Sequence, residues 1–248
     1  MSRIDDYREV LKQTNVWEEF LLQESGLPGP RGNIELAQAA ALEGDEVLFN
    51  EWLSYSAASA PTNTPQEFLA FCGVLGMGEL LAAGRLDLID TLRNFANDTR
   101  WRMREAVAMA LQKLGRQDMD RLVSEMKRWS RGSLLEKRAA AAALCEPDIL
   151  VEQHQIEQVL KILDEITASI PDRQARRQED FRTLRKGLGY CWSVAVAAYP
   201  EKGKALMESW MESKDADIRW IMKENLKKKR LARVDESWVS ACISRYYE

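Results

Sequence analysis

The sequence predicts an all-α chain built as a solenoid of stacked helical repeats. Three observations predict it. Nearly every segment carries apolar residues at the 3.6-residue period, and no run of four to eight residues alternates β-branched and polar side chains. Two decapeptides 119 positions apart nearly coincide: Asp98-Thr-Arg-Trp-Arg-Met-Arg-Glu-Ala-Val107 and Asp217-Ile-Arg-Trp-Ile-Met-Lys-Glu-Asn-Leu226. A third copy, Asp180-Phe-Arg-Thr-Leu-Arg-Lys186, keeps the Asp, a basic residue two positions on and another at six. Self-similarity of this kind marks units that bury their apolar faces only by stacking on neighbours.

Taken in chain order, the period places helices near 3–13, 15–24, 33–43, 45–58, 65–82, 86–96 and 99–114. It continues them near 118–130, 133–145, 150–169, 175–198, 201–213, 217–231 and 235–246. The segment Ser25-Gly-Leu-Pro-Gly-Pro-Arg-Gly-Asn33 stops one helix, and Asn33 is placed to cap the next. Its glycines resemble a phosphate loop only in number, since the prolines remove amide donors, so it reads as a structured turn. Ala60-Pro-Thr-Asn-Thr-Pro65 repeats the arrangement, with Thr64 as N-cap and Pro65 in the first helical position. Ile170-Pro-Asp-Arg-Gln-Ala-Arg-Arg177 interrupts the rhythm and is expected to be an arginine-rich contact loop.

From residue 86 the pattern settles into helix, short Asp-bearing turn, and helix with a basic residue just inside. The unit from Leu86 through Asn97-Asp98 to Gly115 looks like a HEAT repeat, with Gly115 as a left-handed stop. Residues 118–145, 150–198 and 201–231 make further units.

Composition narrows the function classes. The 248 residues carry a formal net charge of −4 and are 46% hydrophobic, which suits a sizeable core and gives the whole molecule no bias toward nucleic acid or membrane. The charge is uneven, however. Residues 1–97 hold 6 Lys and Arg against 15 Asp and Glu, a net of −9, while residues 98–248 hold 29 against 24, a net of +5. The expected organisation is an acidic N-terminal helical part over 1–97 and basic-faced repeats over 98–248, in one continuous domain. Cys72, Cys145, Cys191 and Cys242 are far apart in apolar helical contexts and read as buried thiols of a reducing compartment. His154, the single histidine, reads as an ordinary helix residue; no metal and no cofactor is expected. Neither a signal peptide nor a run of 18 apolar residues is present, so a cytoplasmic protein without a membrane partner is expected. The phosphate-loop, dinucleotide and zinc-protease motifs are absent.

On a helical wheel Met103, Val107, Leu111 and Leu114 form the core stripe of 99–114. Arg100 and Arg104 lie along its edge, as do Arg219 with Lys223 and Arg182 with Lys186 in the other copies. Like charges four apart near a helix N-terminus oppose each other and the helix dipole, so they call for negative partners. Either Asp98, Asp180 and Asp217, or acidic residues of an adjoining repeat, supply them in a ladder through the stack, or the cations line a basic concave groove for a polyanion or an acidic protein. Trp101 with Glu105, and Trp220 with Glu224, form pairs on a different face, suited either to packing between repeats or to holding a cationic aromatic ring. The basic run Lys223–Arg233 reads as a solvated helix face.

Lys127-Arg-Trp-Ser130 with Leu135-Glu-Lys-Arg-Ala-Ala-Ala-Ala-Ala-Leu144, and Phe181-Arg-Thr-Leu-Arg-Lys-Gly-Leu-Gly-Tyr-Cys-Trp192 followed by Tyr199-Pro200, resemble successive units of the DNA alkylation repair family of DNA glycosylases. The resemblance covers residues 98–233. It implies that Trp101, Glu105, Arg138 and Tyr190 surround the lesion, with the Glu105 carboxylate stabilising the sugar cation as an alkylated purine leaves. The chain departs from the family where the catalytic helix usually reads Trp-Trp-Asp with a second Asp; here it reads Trp101-Arg-Met-Arg-Glu105. Two functions are therefore expected, with a catalytically silent relative that still recognises DNA shape lying between them. One is a non-catalytic scaffold whose binding residues are Arg100, Trp101, Arg104, Arg138, Arg182, Lys186, Tyr190, Arg219, Trp220 and Lys223. The other is a glycosylase-like enzyme acting through Glu105.

Overall fold

A computed structural model describes residues 2–170 and 175–248. Among the described residues there are fourteen α-helices and no strand. The helices gather into two compact units, Met1–Gln117 and Asp118–Glu248, so the expected charge boundary at residue 97 falls inside the first unit.

The first unit contains α1 (Arg3–Gln13), α2 (Trp17–Glu24), α3 (Ile34–Glu43), α4 (Glu46–Leu53), α5 (Pro65–Ala82), α6 (Ile89–Phe95) and α7 (Trp101–Gln117). Their starts follow local capping chemistry. Ser2 and Asp5 form a reciprocal capping box on α1; Asn33, Asp45 and Thr64 side chains accept from backbone N–H groups of α3, α4 and α5. Pro65 occupies the first turn of α5.

Helix α5 organises this unit. Every residue from Glu67 to Gly78 is buried, which is the signature of a helix enclosed on all sides. Helices α2, α3, α4 and α7 pack around it. Two glycines admit the closest neighbours: a Cβ on Gly76 would collide with the Phe49 ring of α4, and one on Gly78 would sit 2.6 Å from the Ala110 Cα of α7. The chain after α4 stops being helical at Ser54, earlier than the expected 58, because its carbonyls are needed elsewhere, as described below.

The second unit contains α8 (Met119–Trp129), α9 (Leu134–Leu144), α10 (Gln153–Ala168), α11 (Glu179–Ala198), α12 (Pro200–Met211), α13 (Ala216–Leu226) and α14 (Lys229–Tyr247). Helix α11 is its centre, packed by α9, α10, α12, α13 and α14. Two polar links fix its register. The Trp192 indole N–H donates to the Thr167 hydroxyl of α10 at 3.1 Å, and that hydroxyl donates to the Leu163 carbonyl. Asn225 of α13, fully buried, accepts from the Ser193 N–H at 2.7 Å and donates to the Leu188 carbonyl at 2.9 Å.

Two expectations are corrected. Gly115 does not stop α7; it is buried within it, and the helix runs on to Gln117, where Asp118 caps α8. The expected helix 217–231 ends at Leu226, because Lys228 is extended (φ −78°, ψ 121°) and begins α14 as its N-cap. Of the expected contact loop 170–177, residues 171–174 lie outside the described residues, and Ala175–Arg177 form a single 3-10 turn. No helix among the described residues is long and apolar enough to cross a membrane.

Both central helices make quantitative predictions. Gly78→Ala drives a methyl group into the α7 backbone and is expected to cost about 1–3 kcal/mol in denaturant unfolding, as overpacking does. Asn225→Leu keeps the number of side-chain heavy atoms but strands its buried partners, and the expected loss is again about 1–3 kcal/mol.

Candidate functional site

The first copy of the repeated decapeptide begins with a cation that never reaches the surface. Arg100 is 2% exposed. Its Nε and Nη2 donate to the two oxygens of Asp98 at 3.0 and 2.7 Å, and its Nη1 donates to the carbonyls of Tyr55 (3.0 Å) and Ala60 (3.2 Å). It therefore binds the turn after α4, which explains why that turn leaves the helix. The helical wheel puts Arg100 along the edge of the core stripe, with Asp98 or a basic groove as its two expected settings; the structure makes it a buried strut, its charge neutralised by Asp98. Arg104, half-buried, donates to the carbonyls of Asp98 (2.7 Å) and Thr99 (3.0 Å) just before α7.

Arg102 stands outside the repeated pattern, and it is the hub of this region. Its Nη1 donates to Glu67 at 3.2 Å; its Nη2 donates to the Gly29 carbonyl at 2.7 Å and the Asn63 side chain at 3.3 Å. Asn63, at φ +68° in the left-handed region that Asn tolerates, gives its own N–H to Glu67. One guanidinium thus ties both Gly- and Pro-rich turns to α5. It also lies 4.4 Å from the centre of the Trp101 ring.

Trp101 is 45% exposed, and with Glu105 it borders a cavity of about 260 Å³. Phe68 and Phe71, stacked at 6.4 Å, line it together with Ile34, Met109 and Arg102. The Trp–Glu face of this copy therefore does border a cavity.

The second copy is used differently. Trp220 is packed between helices: the Arg185 guanidinium lies 3.8 Å from its ring centre, and a Cβ on Gly189 of α11 would sit 3.2 Å from it. Glu224 ion-pairs with Lys227. Arg219 donates to the carbonyls of Met211 (3.0 Å) and Tyr246 and stacks 5.0 Å from the Tyr247 ring, while the exposed Lys223 lies 5.3 Å from the same ring. Asp217 pairs with Arg176 (3.0 Å) and Arg185 (2.9 Å), neither of them in the repeated framework. Arg176 also pairs with Asp215 at 2.6 Å and holds that carboxyl below the usual carboxylate range. Asp98 thus pairs within its own copy and Asp217 with residues that precede it; a regular ladder does not form.

The third copy stays open. Arg182, Lys186 and Tyr190 follow one another at four-residue spacing on α11, and all three are exposed. Arg182 pairs with Glu179, one turn back on the same helix. Arg138 of α9 lies across this helix, its Cγ 3.3 Å from where a Cβ on Gly187 would stand. The Tyr190 hydroxyl accepts from Arg230, whose guanidinium lies 4.6 Å from the ring centre, with the Lys228 ammonium 5.8 Å away.

Arg230 and Lys228 belong to a cleft of about 710 Å³, lined by Lys227, Lys228, Lys229, Arg230 and Arg233 over an apolar floor of Leu150, Val194, Ala197 and Ala198. The break at Lys228 makes it: a run that reads as one solvated helix face is bent across the α13–α14 turn. Among the described residues only Lys227 of these five has a carboxylate in ion-pair range.

All four cysteines are buried free thiols, and burial pushes those of Cys72 and Cys145 well up. His154 is exposed on α10, 3.6 Å from Asp120. No cluster of three or more His, Cys, Asp or Glu able to hold a metal is found among the described residues.

The two classes of arginine separate in stability. Arg100→Ala removes a buried cation and strands the part-buried Asp98, and is expected to cost about 3–5 kcal/mol of unfolding free energy. Arg182→Ala, at an exposed pair, should stay within about 0.5 kcal/mol of the parent; equal losses in denaturant titrations would contradict this division.

No family model matches the chain, and no curated protein matches it. The fold does have a solved counterpart: the crystal structure of AlkD2 from Streptococcus mutans superposes with a TM-score of 0.62 over 85% of this chain and 98% of that one, at 16% identity. At that identity the likeness establishes the fold, an all-α solenoid of HEAT-like helical repeats, and the resemblance to the DNA alkylation repair family read from the sequence holds at that level.

Proposed function

We propose that this protein binds the phosphate backbone of nucleic acid through the basic surface of its second unit, as a binding protein without catalysis. The observation that carries the reading is the cleft of five clustered cations, four of them without a carboxylate in ion-pair range among the described residues. Uncompensated cations gathered over an apolar floor repel each other unless a polyanion fills the space, and displacing condensed counterions from phosphates supplies the driving force. Tyr190 stands beside the cleft as an aromatic surface on which a base or sugar can rest. Arg138 of α9, with Arg182 and Lys186 of α11, extends the same basic character. The acidic residues 1–97 disfavour a polyanion, which confines the interface to the second unit. An acidic protein segment meets the same chemistry and is the competing occupant.

Titration of a fluorescent duplex at several salt concentrations tests the reading. Binding should weaken steeply with salt, and Lys228→Ala or Arg233→Ala should each lower the salt slope by about 1. Absence of binding at about 50 mM salt would remove nucleic acid and leave an acidic protein partner.

A second reading, excision of alkylated purines, is favoured by one observation: Trp101 and Glu105 border the same cavity. Against it, Arg102 covers one face of the Trp101 ring. Duplex carrying N-methylated purines is expected to lose no base above the spontaneous rate; release that Glu105→Gln abolishes would assign catalysis to this carboxylate.

A further inference from the structure

The basic cleft of the second unit has a floor that phosphates do not need. Beneath its cations lie Leu150, Val194, Ala197 and Ala198, and no acidic residue among those described lines the space. A chain of phosphates would be held by the rim alone and would leave that floor wet. A flat apolar surface laid on it would be driven there by the burial of both faces.

The floor is continued along α11 by an aromatic ring. Tyr190, Val194 and Ala197 stand at the i, i+4 and i+7 positions of that helix and so share one face, which the exposed Lys186 extends by one more turn. From Lys186 to Ala197 the stripe measures about 16 Å at 1.5 Å per residue. Stacked bases follow each other at about 3.4 Å, so it spans several of them.

Tyr190 is also tied to the cations. Its hydroxyl accepts from Arg230, whose guanidinium lies 4.6 Å from the ring centre, yet the residue stays 45% exposed. A second aromatic plane and the flat guanidinium would thus both be available to a base at the point where the α13–α14 turn meets phosphate. Basic tracks interleaved with stacking surfaces are how unpaired strands are held. A duplex keeps the faces of its bases inside its own stack; its phosphates would reach the rim, and neither ring nor floor would gain a partner.

We infer that the nucleic acid this cleft takes is single-stranded, with its phosphates on the cations of residues 227–233 and its unpaired bases on Tyr190 and the apolar floor. The inference rests on the proposed function and adds to it the form of the strand.

Three probes test it on the full chain: a fluorescent strand of mixed sequence, the same strand annealed to its complement, and inorganic polyphosphate, which has the charge without the bases. The single strand should bind about tenfold tighter than the duplex, the effect of one stacked base, and polyphosphate of equal charge should displace it poorly. Since stacking is not screened, the preference should persist as salt is raised. Tyr190→Ala should lower single-strand affinity about tenfold and narrow the preference, whereas Tyr190→Phe, which keeps the ring and loses the hydroxyl bond, should retain it; circular dichroism checks that both variants are folded. A duplex bound as tightly as the single strand, polyphosphate competing as well as the strand, or a preference that Tyr190→Ala leaves intact would each overturn this inference, and salt-steep duplex binding would still uphold the proposed function. Failure of both strand forms to bind at about 50 mM salt would remove the two together.

Discussion

A helix without a polar face has to be enclosed, and the first unit is arranged by that requirement. Helix α5 buries Glu67 through Gly78 without interruption. Its glycines let α4 and α7 approach closer than any side chain would permit. Once α7 lies against α5 through Ala110, its N-terminal turn is carried to the turns that follow α2 and α4. Three arginines in that turn then have backbone carbonyls and carboxylates to meet, and the polar network around Arg100 and Arg102 follows from an apolar contact.

That network shows how charge is tolerated in an interior. A guanidinium taken out of water is costly unless its donors are nearly all used and its charge is met close by. Arg100 satisfies both conditions with Asp98 and two carbonyls. Arg102 satisfies the charge condition through Glu67 and leaves its buried Nε–H without an acceptor among the described residues. In the second unit Lys228, Lys229, Arg230 and Arg233 of the α13–α14 turn have no carboxylate in ion-pair range among the described residues, and they stay at the edge of an open cleft, the site proposed for a polyanion.

The near-identical decapeptides end in different surroundings because their neighbours differ. Trp101 faces a cavity lined by the Gly- and Pro-rich turn at Pro30 to Gly32, whereas Trp220 meets Gly189 and the Arg185 guanidinium and becomes packing. Arg100 closes on its own Asp98; Arg219 reaches the carbonyls of Met211 and Tyr246. A repeated sequence specifies a repeated helix, and the adjoining helix decides what each exposed face becomes.

The sequence by itself determined the all-α class, the repeat character, most helix starts and the apolar stripes. These depend on local quantities: the 3.6-residue period, cap residues such as Asn33 and Thr64, and the placement of Pro65. Candidate site residues were legible as types, basic and aromatic at helical spacing, and α11 with Arg182, Lys186 and Tyr190 exposed retained the arrangement the pattern implies. What only the tertiary structure decided was which of them reach solvent. Arg100 and Arg102 differ from Arg182 by the turns folded over them, contributed by Ala60 and Gly29, far earlier in the chain. The basic cleft depended on one extended residue, Lys228, inside a run with helical composition. Burial and the partners of a long flexible cation are set by segments remote in the chain, and no local period encodes them.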